Sequence, residues 1–197
     1  TVKRQTGFLV PHINNSNVLG SSLQIPYFYA PSNNKDFTFK PTFFDKDIFM
    51  FQNEFRLQNK NSFLVADLNI VDGYKSKKSK QENTLTHLFS NFSTDLNFDN
   101  FVDSSINISF QKVNNDTYLK VFDTNLVNTD LKPDNYDILT SEVDFNLENE
   151  KFVLNTGFTA YENLTLQNSD RYQYVLPYYD FSKSFFDNNN FASFDFL

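Results

Sequence analysis

The chain contains no cysteine, no tryptophan, one methionine and only four glycines among 197 residues. Without cysteine, neither a disulfide framework nor a thiolate metal site can be built from this stretch. Scarce glycine leaves the turns to Asn, Asp and Ser, whose short polar side chains bond the local backbone. No apolar run approaches the roughly 18 residues that a transmembrane helix needs, and mean hydropathy is −0.48. A membrane-spanning strand is apolar on its lipid side alone, so a low average still accommodates a β-barrel. Catalytic signatures are missing as well: there is no phosphate-cradling glycine loop, no Gly-x-Ser-x-Gly elbow and no His-Glu-x-x-His. His12 and His87 stand far apart and are expected to be ordinary strand residues. Asn114-Asn115-Asp116 and Asp187-Asn188-Asn189-Asn190 lack the spaced oxygen ligands of a calcium loop and read as turns. No enzyme, cofactor or metal site is therefore expected. A net charge of −7 argues against nucleic acid, which favours a basic surface.

What is abundant is Phe, with 25 residues, and Tyr, with 10. Aromatic side chains pack well on a pleated surface and favour strands. The dominant signal is a period of two, which places alternate residues on opposite strand faces. Phe49, Phe51, Phe55 and Leu57 share a face, with Gln52, Glu54 and Arg56 opposite. Leu64, Ala66, Leu68 and Ile70 form the next apolar face, followed by Leu88 and Phe92, then Ile106, Ile108 and Phe110. Val143, Phe145 and Leu147 continue it, then Phe152, Leu154, Phe158 and Ala160. Tyr172, Tyr174, Leu176 and Tyr178 are expected on one side of the last full strand. No apolar run at helical spacing stands out.

A soluble sandwich also alternates, with its polar face in water, so period alone does not choose an architecture. Connection lengths say more. Those near 31–36, 58–62, 99–104, 148–151 and 187–190 are short, whereas 13–21, 72–84, 113–137 and 163–170 are longer; only the break near 45–47 disturbs the alternation. Short turns at one end and long loops at the other characterise outer-membrane barrels. The expected fold is all-β: an antiparallel transmembrane β-barrel, of which residues 1–197 supply roughly ten consecutive strands. The basic run Lys75-Ser76-Lys77-Lys78-Ser79-Lys80 reads as a solvated loop tip. The start at Thr1 without a signal segment, and the end inside an alternating pattern at Leu197, suggest a piece of a larger protein. Two alternatives stay open: another outer-membrane barrel, such as a porin or uptake channel, and a soluble β-sandwich for carbohydrate binding or adhesion, with tyrosines near 172–179 stacking on sugars.

Pro11 and Pro26 each interrupt an apolar, strand-like run. Proline brings no N–H to a ladder and is confined to edges, strand starts and bulges. Each lost backbone bond weakens pairing by about 0.5–1.5 kcal/mol, so the pair marks either strand ends or a weak seam.

The same residues carry a resemblance. Arg4-Gln5-Thr6-Gly7-Phe8-Leu9-Val10-Pro11 resembles the start of the barrel domain of the LptD (organic solvent tolerance) family. The likeness continues through Gly20-Ser21-Ser22-Leu23-Gln24-Ile25-Pro26-Tyr27-Phe28-Tyr29 and Ala30-Pro31-Ser32-Asn33-Asn34-Lys35-Asp36-Phe37-Thr38-Phe39-Lys40-Pro41, then Asn53-Glu54-Phe55-Arg56-Leu57. Weaker echoes are Asn115-Asp116-Thr117-Tyr118-Leu119-Lys120-Val121-Phe122 and Arg171-Tyr172-Gln173-Tyr174-Val175-Leu176-Pro177. The resemblance implies a transporter in the cell outer membrane that inserts lipopolysaccharide into the outer leaflet through a lateral gate. It implies Pro11 and Pro26 as the residues that weaken strand pairing at that gate. An LptE-type lipoprotein plug and a periplasmic LptA-type bridge are the implied partners. The bridge would be reached through an upstream jelly-roll domain that, like the later barrel strands, lies outside this stretch.

Overall fold

The computed structural model describes residues 4–45, 47–76, 82–126, 131–187 and 190–196. The strands are β1 (Gly7–Phe8), β2 (His12–Ser16), β3 (Gly20–Gln24), β4 (Tyr27–Ser32), β5 (Lys35–Phe44), β6 (Phe49–Gln58), β7 (Ser62–Lys75), β8 (Glu82–Asp95), β9 (Asp103–Val113), β10 (Ile138–Glu148), β11 (Phe152–Asn163), β12 (Tyr172–Asp187) and β13 (Asn190–Phe196); one helical turn, α1 (Tyr118–Val121), lies between β9 and β10. All strands join one sheet in which each of β4 to β13 pairs antiparallel with the next. The fold is thus all-β and antiparallel, as the alternation predicts. A two-sheet sandwich is not what these strands form. No helix is long and apolar enough to cross a membrane among the described residues.

The connections explain themselves locally. Asn149 accepts bonds from the backbone N–H groups of Lys151 and Phe152, at 2.8 and 2.9 Å, and turns β10 into β11. Asn163 does the same for Thr165. Left-handed backbone falls on Asp47, Asn97, Asn100 and Asn168, residue types that tolerate it. Asn and Asp therefore do the work that scarce glycine leaves undone. Gly73 is a position that does demand glycine. Gly73 sits at φ +80° inside the register shift between Val71 and Tyr74, and a Cβ there would lie 2.4 Å from the Asp47 carbonyl oxygen. Gly73→Ala should cost at least about 1–3 kcal/mol from backbone strain alone. A denaturant midpoint unchanged from the parent would contradict that reading.

Several sequence expectations need correction, the long connection 72–84 among them, since β7 runs to Lys75 and β8 starts at Glu82. Residues 13–21 do not form a long loop: β2 and β3 pair there as a hairpin, from His12↔Gln24 to Ser16↔Gly20. Nor do Tyr172, Tyr174, Leu176 and Tyr178 share a face. Val175 pairs with Thr159 and Tyr178 with Gly157, so β12 carries one extra residue around Pro177. A one-residue bulge flips every following side chain. Tyr174 stays on the face of Ala160, while Tyr178 turns to the other and bonds Asp144. Most of the Lys75–Lys80 run lies outside the described residues.

The two faces differ sharply. Cross-strand neighbours Phe37, Phe55 and Ala66, then Pro41, Phe51 and Ile70, then Phe92, Ile108, Val143 and Phe158 share one face. That face is bare: Phe43, Phe51, Leu68, Ile70, Leu88, Phe110 and Phe158 are all exposed. Aromatic rings tile it, with Phe37–Phe55 centroids 4.8 Å apart and Phe43–Phe49 5.2 Å apart. The opposite face carries Asp36, Gln52, Asp67, Asn69 and His87, and these polar residues are buried. The arrangement is inverted relative to a water-soluble sheet, which hides its apolar side.

Candidate seam and covered polar face

The two sequence-predicted site residues come together. Phe8 faces Tyr27 and His12 faces Gln24, so Leu9, Val10 and Pro11 lie opposite only Ile25 and Pro26. Both prolines fall in the same gap of the same two-stranded ribbon, which divides its strands into β1/β2 and β4/β3. The unequal lengths shift the register by one residue across the gap. Leu9 N–H donates to the Pro26 carbonyl at 2.9 Å. In a regular antiparallel pair the two residues exchange two bonds, but Pro26 has no N–H to return. The ribbon is the described edge of the sheet, and its apolar residues stand open: Phe8 is 76 % and Ile13 80 % exposed.

Below the gap the edge is fastened by charge. Asp36, fully buried, accepts from Arg56 Nε at 2.8 Å and from an Arg4 guanidinium nitrogen. Arg4, Asp36 and Arg56 belong to three separate segments of the family resemblance, and the sheet brings them to one point. Above the gap, Ser21 and Asp45 bond reciprocally, Ser21 N–H to Asp45 Oδ2 and Asp45 N–H to the Ser21 carbonyl, both at 3.0 Å.

The covered face owes its cover to residues 114–126. Tyr118, Leu119, Phe122 and Leu126 are fully buried against Met50, Val71, Leu85, Phe89 and Val113 of β6 to β9, together with Leu19 from the β2–β3 turn. The Tyr118 hydroxyl accepts from Asn69 Nδ2 at 2.5 Å and lies 2.7 Å from His87 Nδ1. His87 stacks on Phe89, centroids 4.2 Å apart, and its Nε2 is 3.4 Å from Asp67 Oδ2. Gln52 donates to the same carboxylate oxygen at 2.7 Å. Burial holds the Tyr118 phenol well above its ordinary range, so it stays a neutral hydrogen-bonding group. His87 is a strand residue as expected, but one of its partners, Tyr118, arrives from a distant loop. Two signals for this docking stand in the sequence. Tyr118, Leu119, Phe122 and Leu126 fall at helical spacing, contrary to the expectation of none. Met50, Val71, Leu85 and Phe89 break the polar alternation of their face.

Further ion pairs hold the covering segment. The Lys132 ammonium and the Tyr136 hydroxyl hold the Asp123 carboxyl below its usual range. Arg171 Nη2 reaches Asp116 at 2.8 Å and Glu162 at 2.7 Å, and these partners raise its pKa. This contact joins the two weaker echoes of the resemblance, 115–122 and 171–177. No group of metal-ligating side chains is present among the described residues.

No protein-family profile matches the chain. Over 132 residues, 62% of its length, the chain is 33% identical to proteins named LPS-assembly protein LptD from the Lens, Paris and Philadelphia 1 strains of Legionella pneumophila. The match spans 16% of each of those relatives. The chain is thus distantly similar to one part of a much longer LPS-assembly protein.

Proposed function

We propose that this chain is the first part of an outer-membrane β-barrel that inserts lipopolysaccharide into the outer leaflet through a lateral gate. The observation that carries the reading is the similarity to LptD-named proteins over most of the chain. The sheet supports it physically. A bare apolar face of this extent costs free energy in water at about 25 cal/mol per Å² and costs none against lipid chains. A buried polar face suits a barrel lumen. The same bare face would serve a porin or an uptake channel, but the relatives' name points to lipopolysaccharide assembly.

In this reading Pro11 and Pro26 form the gate. Their shared gap loosens the edge ribbon, so that the seam between the first and last strands of the complete barrel, where the lipid would leave, opens without breaking a full ladder. The role is passive passage and not catalysis. An LptE-type lipoprotein plug would occupy the lumen of the complete barrel. A jelly-roll domain upstream of Thr1 would receive lipid from an LptA-type bridge.

The test replaces both prolines with alanine in the full-length protein and measures lipopolysaccharide reaching the cell surface. Two restored donors should slow export roughly fivefold or more, since each bond contributes about 0.5–1.5 kcal/mol. Export at the parental rate would remove the gate assignment. Recovery of the full-length protein outside the outer membrane, without detergent, would remove the whole reading.

A further inference from the structure

The proline gap does not stop at the edge ribbon. β3 and β4 together pair with β5 in one register: Gln24↔Thr42 on one side and Tyr27↔Phe39 on the other. Between these pairs the ladder is interrupted, and Ile25 and Pro26 stand opposite Pro41 and Lys40 of β5. Ile25 N–H donates to the Pro41 carbonyl at 3.1 Å, and Pro41 has no N–H to return. On its other side Pro41 faces Phe51 of β6.

Three prolines, Pro11, Pro26 and Pro41, therefore lie within one residue of the same level across three neighbouring strands. Each of the two strand junctions there keeps one backbone bond, Leu9 to Pro26 and Ile25 to Pro41, where a regular pair exchanges two. Above this line the tip of the ribbon, β2 and β3, is held to β5 by three residue pairs, Ser22↔Phe44 to Gln24↔Thr42, and by the Ser21–Asp45 bonds, while Leu19 in its turn is seated in the core. Below it, the base is held by the β4–β5 ladder and by Arg4 on Asp36.

We infer that Pro41 is a third hinge residue. It extends the line of weakness into β5, so that residues 12–24 turn as a two-stranded unit against a fixed base once Leu19 leaves its seat in the core. This rests on the lateral-gate reading for its purpose, and on the ladder alone for its mechanics. The unit that moves is then the ribbon tip, and not the first strand peeling alone.

The test is amide hydrogen exchange on the full-length protein in detergent. Pro41→Val and Pro41→Ala return the donor opposite Ile25; valine also keeps an apolar side chain on the bare face. Exchange across residues 12–25 should slow by roughly threefold to tenfold, the factor one hydrogen bond supplies. Pro177→Ala is the control, because Pro177 lies at the β11–β12 bulge far along the sheet. Unchanged exchange in both Pro41 variants, or equal slowing in Pro177→Ala, would overturn the hinge. Lipopolysaccharide export is followed in parallel. Slowed exchange with parental export keeps the hinge and counts against the lipid gate, whereas unaltered exchange with loss of export by the Pro11/Pro26 double variant does the reverse.

Discussion

Truncating Tyr118 to alanine should release residues 114–126 from the covered face and lower the unfolding free energy by about 3–5 kcal/mol, the usual cost of removing a buried aromatic ring. Tyr118 is fully buried, its ring centroid is 5.2 Å from Phe122 and 5.3 Å from His87, and its hydroxyl serves both Asn69 and His87. The truncation leaves a cavity and two polar side chains without their partner. Tyr118→Phe separates the two effects. It keeps the ring and should cost only about 1–3 kcal/mol, the penalty for leaving buried polar groups unsatisfied. Denaturant midpoints of the full-length protein in detergent give the energies. Proteolysis after Lys120 should quicken in Tyr118→Ala and stay near the parental rate in Tyr118→Phe. Parental midpoints in both variants would mean that the segment merely rests on the sheet.

The second large effect concerns Asp36. Asp36→Ala should destabilise the edge by about 1.5–3 kcal/mol, the range for hydrogen bonds to charged groups. Two guanidinium groups lose their shared carboxylate at once. Arg4 and Arg56 are 52 % and 43 % exposed in their side chains, so both can turn to water, and this keeps the loss below that of a fully buried ion pair. The larger consequence is positional. β1 pairs with β4 through only Gly7↔Phe28 and Phe8↔Tyr27, so Arg4 is a principal tether of that end. Cleavage after Arg4 by trypsin should therefore accelerate well beyond the change in global stability. Equal acceleration at Arg4 and Arg56 would show general loosening and would refute a specific tether. Asp36→Asn keeps the volume and loses the charge; an intermediate loss is expected from it.

Much of this organisation stands in the residues themselves. Alternation at Phe49–Leu57 and Leu64–Ile70 determines strands and tells which side chains share a face, because a pleated strand has a period of two. Asn97, Asn100, Asn149, Asn163 and Asn168 mark the turns, because asparagine side chains bond nearby backbone and accept left-handed conformations. Pro11 and Pro26 declare missing ladder donors wherever the strands go.

Other features depend on partners far apart in the chain. The bulge at Pro177 flips Tyr178 because β12 has one residue more than β11 at that level, and a single strand does not reveal its neighbour's count. The alignment of Pro11, Pro26 and Pro41 is a fact of register between three strands. The enclosure of His87 depends on a loop that begins at Asn114 and returns to β8, and the Arg4–Asp36–Arg56 cluster on side chains up to 52 positions apart. The sequence by itself determined strands, faces, turns and the sites of missing donors, since all of these follow from nearest-neighbour geometry. Only the tertiary structure decided which face is covered, what covers it and where the weak points line up, because those depend on register and on contacts between residues distant in the chain.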